Sequence, residues 1–548
     1  MIGTFLIVSG KWMLCAGYLV CFFCRLWLLL VFTHELVESC ADDNEPQSRI
    51  EDSSRIDNSF KGHDMSKVEK MKRLISLLML TLVFSSLALA MSILTNGYIN
   101  ITVIEAKAMI DSNPSLVVLD VRTQSEYEND GHIRNAKLIP VTELPTRLDE
   151  LNKTDEILVY CKLGGRSTSA SQILVDNDFL HVYNMLGGIT AWKTEKYAVY
   201  IKYSFLQEAI NTANEGTPIF VSSGIYYENV VVNKTVSLFG ENISNTVIDG
   251  NLTGTPLSIA AMNVFISGFV IQQNSSVGGP EDISGIFLNY SVGSTIQGNR
   301  LVSNNYGIYL EEGYANLIVA NDFFNYTTGI YLHKSSGNNI TQNYLNSHNK
   351  SGYGIRLASS SNNSLIKNVC TNNCYGIYLQ NSSENTISNI AIYNNYYGIH
   401  FENSSNNRMI KSLIQSNTQY GIWFKDSSNN AVTECNIINN SYGILSQPFD
   451  SSTNNSIYHN NFFNNNVQIS LSTSTYKWDN GYPSGGNYWS DYRGSDSLHG
   501  PNQEWLGGDG IGDTPYIIDE NNVDRYPLMY SYGSESIRGG GSSKKSRR

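Results

Sequence analysis

The second half of the chain repeats one apolar pattern. Aligned on a glycine, the units read Gly285-Ile-Phe-Leu, Gly307-Ile-Tyr-Leu, Gly329-Ile-Tyr-Leu, Gly354-Ile-Arg-Leu, Gly376-Ile-Tyr-Leu, Gly398-Ile-His-Phe, Gly421-Ile-Trp-Phe and Gly443-Ile-Leu, at spacings of 22, 22, 25, 22, 22, 23 and 22 residues. Between them recurs S-x-N-N-x-[IV]-x-x-N-x-[IF]-x-x-N, as in Ser404–Asn417. A unit this short is too small for a helical hairpin and suits one turn of three short strands. Alternation points Ile and Leu inward, and Asn at the corners tolerates left-handed backbone and bonds to its equivalent in the next turn. Turns stacked about 4.8 Å apart pair every backbone group with a neighbour. The pattern predicts an all-β, right-handed parallel β-helix over residues 203–475. The L-x-x-L-x-L pattern of a leucine-rich repeat is absent.

An open solenoid end exposes apolar core and unpaired strand edges, so a cap is expected. Ser204-Phe205-Leu206-Gln207 reads as a capping box, followed by an apolar helical face of Phe205, Leu206, Ala209, Ile210 and Ala213. Residues 476–530 change character, with Gly485-Gly-Asn-Tyr-Trp-Ser-Asp-Tyr492 and Gly507-Gly-Asp-Gly-Ile-Gly-Asp513, and read as a C-terminal cap. Residues 531–548 read as a disordered basic tail. The run from Pro218 to Gly250 resembles the opening of pectin-lyase-like β-helices. The repeats are similar to the periplasmic copper-binding NosD family, and the last segment to archaeal surface β-helix proteins of that type. The resemblance spans about Tyr203 to Tyr530 and implies the fold. Copper needs His, Met or Cys donors, and His333 and His400 would lie three coils apart, roughly 14 Å.

Ahead of the repeat the pattern changes to α/β. Ile157–Tyr160 is an apolar, β-prone run that ends in Cys161; Lys162–Gly165 is a short loop, and a helix opens at Ser167. A strand that delivers a thiol to a helix start sets sulfur beside unpaired N–H groups and a positive dipole end, which lowers its pKa. Gly164 and Gly165 let the loop curl around the sulfur, and Arg166 adds a fixed charge. The surrounding motifs are Leu119-Asp120-Val121-Arg122, Glu126-Tyr127, Gly131-His132-Ile133-Arg134-Asn135-Ala136, and Tyr183-Asn184-Met185-Leu186-Gly187-Gly188-Ile189-Thr190-Ala191-Trp192.

These motifs resemble the rhodanese family over residues 99–196. The resemblance implies a doubly wound α/β domain carrying sulfane sulfur on Cys161 as a persulfide. It implies a cradle of Lys162, Leu163, Gly164, Gly165, Arg166 and Ser167, with Asp120, Arg122 and His132 as structural support. Related phosphatases use a C-x5-R loop; here four residues separate Cys161 from Arg166, the shorter loop of a sulfurtransferase. The chemistry would be two-step nucleophilic catalysis, with a small sulfur donor such as thiosulfate and a thiol or cyanide-like acceptor. No cofactor is required. Asn135 stands where the family often has glycine, a departure that touches a turn.

Composition narrows the class. With 49 acidic and 37 basic residues the formal net charge is −12, which argues against nucleic acid as a partner. The eight cysteines show neither disulfide-scaffold nor zinc spacing. Residues 13–32 form an apolar run that contains Cys21 and Cys24. Residues 74–94 form another, preceded by Lys67, Lys70, Lys72 and Arg73 and ending near Ala88-Leu89-Ala90. On that layout 65–95 reads as a signal peptide or membrane anchor, and 1–64 as an overcalled start or an extra membrane segment. In both cases the chain beyond about Ala90 is expected to be exported, to the cell surface or as a secreted protein. Sequons such as Asn233, Asn242, Asn381 and Asn403 are compatible with a glycoprotein.

Two further candidates lie on the β-helix. The x positions of G-I-x-L, namely Phe287, Tyr309, Tyr331, Arg356, Tyr378, His400 and Trp423, are expected to form a surface column. Such rings either stack on the sugars of a polysaccharide or cell-envelope glycan, or stabilise neighbouring strands. Tyr306, Tyr353, Tyr375, Tyr397, Tyr420 and Tyr442 share the parity of the inward Ile and are expected in the core. Asp509 and Asp513 are candidate Ca²⁺ ligands, weighed against a turn-forming role. Carboxylates near the column, Glu311, Glu312, Glu402 and Asp426, are scattered, which speaks against hydrolase or lyase chemistry. The sequence thus points to an exported sulfurtransferase on a β-helix. A surface glycan-binding protein with an idle rhodanese-like domain comes second, and a polysaccharide lyase or hydrolase third.

Overall fold

The computed structural model describes Thr81 and residues 97–251, 253–273, 283–348, 350–446 and 450–534. The apolar runs 13–32 and 74–94, apart from Thr81, and the tail beyond 534 lie outside the described residues. Among the described residues no helix is long and apolar enough to cross a membrane.

The first domain is a five-stranded sheet built from β1 (Ile99–Ile101), β2 (Val117–Asp120), β3 (Lys137–Leu138), β4 (Glu156–Tyr160) and β5 (His181–Met185), in the order β1-β5-β4-β2-β3. All pairings are parallel. The period-2 alternation of β4 divides two cores. Ile157, Val159 and Cys161 pack with Ala170 and Leu174, whereas Leu158 and Tyr160 pack with Val103, Ala106, Ile189 and Trp192. The helices α1 (Val103–Ser112), α2 (Gln124–Asn129), α3 (Gly165–Asp176) and α4 (Gly188–Thr194) complete the domain, with α3 on one face and α1 and α4 on the other. Thr102–Glu105 and Thr123–Glu126 form capping boxes on α1 and α2.

The rest is a parallel β-helix with three strands per coil, for example Ser364–Ile366, Val369–Thr371 and Tyr375–Gln380. Ile308, Ile330, Ile355, Ile377, Ile399, Ile422 and Ile444 are in register from coil to coil and fully buried. The corner asparagines form ladders. The main-chain N–H of Asn363, Asn385 and Asn407 each donates to the side-chain oxygen one coil on, at 2.9 Å, and Asn430 to Asn455 at 2.8 Å. A second ladder passes from Asn460 to Asn487 and ends on the buried carboxylate of Asp524. That carboxylate accepts from Asn487 N at 2.8 Å, Trp489 Nε1 at 2.8 Å and Tyr526 N at 3.1 Å.

The structure corrects two sequence expectations. The cap helix α5 (Leu206–Thr212) is not capped by Ser204: Glu228 accepts from Leu206 N at 2.6 Å and Gln207 N at 3.0 Å. Leu206 and Ile210 are buried, but Phe205 is 61% exposed and not part of the apolar face. The second tyrosine column is half-buried at the surface, not in the core. Glycine causes this, because it occupies the inward corner slot. A β-carbon on Gly307 would lie 2.5 Å from the Phe323 ring, and one on Gly376 2.6 Å from Ile392. The residue before each glycine is therefore turned outward. Asp509 and Asp513 serve the cap's turns: Asp513 accepts from Ser497 N at 3.0 Å and Leu498 N at 2.9 Å, and Asp509 from Ile511 N at 3.1 Å.

The two domains are joined by a buried carboxylate. Glu241, from the first coils, accepts from Asn135 N at 2.8 Å and Ser223 N at 2.8 Å and pairs with His132 Nε2 at 3.0 Å. Arg134 Nε donates to the Glu241 carbonyl at 2.9 Å. The rings of Tyr200, Phe220, Phe239 and Phe265 continue the contact into the β-helix at centroid spacings of 5.4, 5.1 and 5.1 Å.

Candidate functional site

Cys161 follows the last residue of β4, the strand between β5 and β2, and the chain turns at once into α3. Carboxyl ends of central parallel strands are where doubly wound sheets form sites. Helix α3 starts at Gly165, two residues before the sequence expectation, with Gly164 as its N-cap at φ 114°. Only glycine adopts this backbone without strain. Gly165 has no such constraint: its φ is ordinary and a β-carbon there would meet nothing within 4 Å.

The Gly164 N–H donates to the Cys161 sulfur at 3.1 Å. Burial alone would raise the thiol pKa. The N–H and hydroxyl of Ser167 and the N–H groups of Gly164 and Leu163 outweigh it and hold the thiol below its ordinary value. The Ser167 hydroxyl also reaches the Gly164 carbonyl at 2.9 Å, so its single proton is shared between two acceptors. Cys161 is 2% exposed, while Leu163 in the same loop is 69% exposed. From the other side, Ile189 N donates to the Cys161 carbonyl at 2.8 Å and Thr190 N to the Lys162 carbonyl at 3.1 Å. The conspicuous Gly187-Gly188-Ile189-Thr190 motif is thus the clamp of the loop.

Arg166 is not a free charge over the sulfur. Its guanidinium is held in a fork by Glu126, with both contacts at 2.7 Å. Hydrogen bonding from Arg166 pulls the Glu126 carboxyl down to about 2. Glu126 is the residue sequence reasoning left without a role, although its spacing from Thr123 is a capping-box signal. Asp120 and Arg122 form a fully buried bidentate pair, and Arg122 also donates to the Gly131 carbonyl at 2.7 Å. His132 stacks on Tyr127 at 3.7 Å and faces Glu241, so it braces the domain junction. Asn135 takes φ 56°, the left-handed turn that glycine supplies elsewhere. Lys162 lies at the rim, 3.7 Å from Asp130.

On the β-helix, the column of x positions is not an open platform for sugars. Tyr378 and His400 are buried, and Phe287, Tyr309, Tyr331, Arg356 and Trp423 are half-buried. The ring faces lie against one another along the stack: Tyr309 on Tyr331 at 4.9 Å and 17°, and His400 on Trp423 at 3.8 Å and 5°. Faces engaged in this way stabilise adjacent strands, which favours the strand-stabilising alternative for the column.

The architecture is that of a thiol-bearing α/β domain set on the first coils of a parallel β-solenoid. The model of the NosD family, described as a periplasmic copper-binding protein, matches residues 169–353 and 346–494, more than half of the chain, although 169–194 fold into the α/β domain. The rhodanese-like domain matches residues 102–195. The chain belongs to the NosD family and carries a rhodanese-like domain. The thiosulfate sulfurtransferase GlpE of Coxiella burnetii is 35% identical over 96 residues, 18% of this chain and 88% of GlpE. YrkF of Bacillus subtilis is 41% identical over 91 residues, 16% of this chain, and the chain spans only 49% of its length. A mutant form of the periplasmic alginate epimerase AlgG is 16% identical, covering 51% of this chain and 83% of that one, at a TM-score of 0.38.

The donors among the described residues do not fit the copper of the family's description. Among the described residues no three His, Cys, Asp or Glu side chains come together. His333 Nδ1 is bonded to Glu311 at 2.7 Å, and His459 Nε2 to the Ser484 carbonyl at 2.8 Å. Cys370 and Cys435 are fully buried, which pushes the Cys435 thiol up to about 12 and that of Cys370 higher. A thiol so raised is a poor source of the thiolate that copper binds.

Proposed function

We propose that the protein is an exported sulfurtransferase that carries sulfane sulfur on Cys161. The observation that carries this reading is the Gly164 N–H held 3.1 Å from the Cys161 sulfur, with the N–H groups of Ser167 and Leu163 also lowering the thiol pKa. In the first step the thiolate attacks the outer sulfur of a donor such as thiosulfate. The donor S–S bond breaks, and sulfite leaves with the bonding pair. In the second step a thiolate or cyanide attacks the outer sulfur of the persulfide, and Cys161 departs as a thiolate. The loop amides stabilise the sulfur anion in both steps. The relationship to a thiosulfate sulfurtransferase supports the choice of donor. A family described as periplasmic, together with the basic and apolar layout of residues 67–90, supports export. The β-helix serves as the rigid carrier of the domain.

The test is a thiosulfate:cyanide assay on the purified protein beside Cys161→Ser, with mass spectrometry of the Cys161 peptide after exposure to thiosulfate. Thiocyanate production and one added sulfur mass, both lost in Cys161→Ser, are expected. Turnover that survives the substitution removes Cys161 as the nucleophile.

A further inference from the structure

The β-helix bears a second arrangement with chemistry in it. The outward rings form two runs. The longer passes from Tyr442 to Tyr420 (5.6 Å), Trp423 (5.5 Å), Tyr397 (5.5 Å), Tyr375 (4.8 Å) and Tyr378 (5.3 Å). The shorter joins Tyr306, Tyr309 and Tyr331 at 4.9 to 5.6 Å. Between the runs the guanidinium of Arg356 sits 5.0 Å from the Tyr331 ring and 5.2 Å from that of Tyr353, which itself stacks on Tyr375 at 5.1 Å. In each run a phenol is bonded to a carboxylate. Tyr309 donates to Glu311, and Tyr378 donates to Glu402, which also holds Lys425.

We propose that these runs conduct one-electron oxidising equivalents along the solenoid, with Tyr309 and Tyr378 as the sites where the radical comes to rest. The physical reasons are three. Tyr and Trp are the aromatic side chains that give up one electron, and rings in near contact exchange electrons far faster than separated ones. An oxidised phenol is a strong acid, so its oxidation is favourable where a base already accepts its proton, as at Glu311 and Glu402. The fixed cation of Arg356 stands nearest Tyr331 and Tyr353, at 5.0 and 5.2 Å against 5.9 Å for Tyr378, so it makes removal of an electron hardest where the runs meet and divides them.

Electrons and protons balance at each step. A radical-class oxidant, such as carbonate or peroxyl radical, takes one electron from Trp423 and becomes the corresponding anion. An electron passes from Tyr378 through Tyr375 and Tyr397 to refill Trp423, while the Tyr378 phenolic proton moves to Glu402. A neutral phenoxyl radical and a protonated carboxyl remain. A small-molecule thiol returns a hydrogen atom to the phenoxyl oxygen and becomes a thiyl radical, and Glu402 releases its proton to water. Nothing here depends on Cys161, so failure of this inference and failure of the sulfurtransferase reading are separable.

The experiment is flash oxidation of the full-length protein with photogenerated tris(bipyridine)ruthenium(III), read by time-resolved absorbance, freeze-quench EPR and mass-spectrometric location of a spin trap. A phenoxyl signal trapped at Tyr378 and Tyr309 is expected. Glu402→Gln, which keeps the side chain's shape, should slow radical formation at Tyr378 about 100-fold. Tyr378→Phe should abolish that site and leave Tyr309 untouched; in Tyr378→Phe combined with Arg356→Tyr, the radical should move to Tyr309. Unchanged melting midpoints establish that the variants fold. Trapping confined to isolated exposed phenols such as Tyr227, Tyr290 and Tyr314, with kinetics indifferent to Glu402→Gln, would overturn the proposal.

Discussion

The α-carbon of Gly188 is pressed against the carbonyl of Cys161: a β-carbon at position 188 would stand 2.3 Å from that oxygen, and the backbone there has φ 56°. The second glycine motif therefore forms a wall of the sulfur loop, 27 residues further along the chain. Gly188→Ala forces the loop back and breaks the Ile189 and Thr190 hydrogen bonds. It should abolish persulfide formation and destabilise the domain by about 2 kcal/mol or more. Gly165→Ala, with open space and ordinary φ, should keep activity and stabilise by about 0.5–1 kcal/mol. Sulfur loading by mass spectrometry and thermal unfolding check both. Equal damage from the two substitutions would contradict this reading of the loop.

Glu126 neutralises Arg166 beside the thiol. Glu126→Gln retains the Thr123 capping geometry but leaves the guanidinium without its counter-charge. The thiolate is then favoured further, and the alkylation rate of Cys161 should reach half-maximum at lower pH than in the parent protein. Ser167→Ala removes a donor and should shift the same profile upward. A pH-rate profile with a small alkylating reagent reads both shifts, and movement of both variants in one direction would refute the assignment.

The carboxylate of Asp524 is fully buried. Burial outweighs its N–H donors and pushes its pKa up to about 7. A folded-state value above the unfolded one contributes stability that is fully present below the unfolded carboxylate range and is lost as pH rises through about 7. Unfolding midpoints of the β-helix should therefore fall between about pH 4 and pH 7 on this account, and Asp524→Asn should flatten that part of the profile. A profile that Asp524→Asn leaves unchanged through the same window would show the group is ionised throughout.

Among the described residues neither ring nitrogen of His400 has a hydrogen-bond partner, and burial holds its pKa down at about 3. The imidazole contributes ring stacking while its polar atoms go unpaired. His400→Phe keeps the stack and should stabilise by about 1 kcal/mol or more. A lower melting midpoint in His400→Phe would mean that the nitrogens have partners after all.

How much of this was legible in the chain depends on the range of the forces involved. The coil period and the inward isoleucines could be read because a solenoid repeats its environment every turn. The cysteine loop could be read because its strand, glycine and helix start are contiguous. The outward turn of Tyr306 and its equivalents was missed because strict alternation assigns glycine a neutral place, whereas here its missing side chain makes room for Phe323 and Ile392. The Glu228 cap on Leu206 and the Glu126 fork on Arg166 span 22 and 40 residues, and nothing local announces them. Glu241 lies 109 residues from His132, so its role depends on two domains meeting.

That meeting has a practical outcome. With Glu241 inserted among His132, Asn135 and Ser223, the thiol-bearing domain has no hinge on which to swing toward a reactant. On the sulfurtransferase reading, delivery and collection of sulfur fall to molecules that diffuse to a stationary station, and cutting the chain near residue 200 would strand the Glu241 carboxylate on one fragment and its His132 and Asn135 partners on the other.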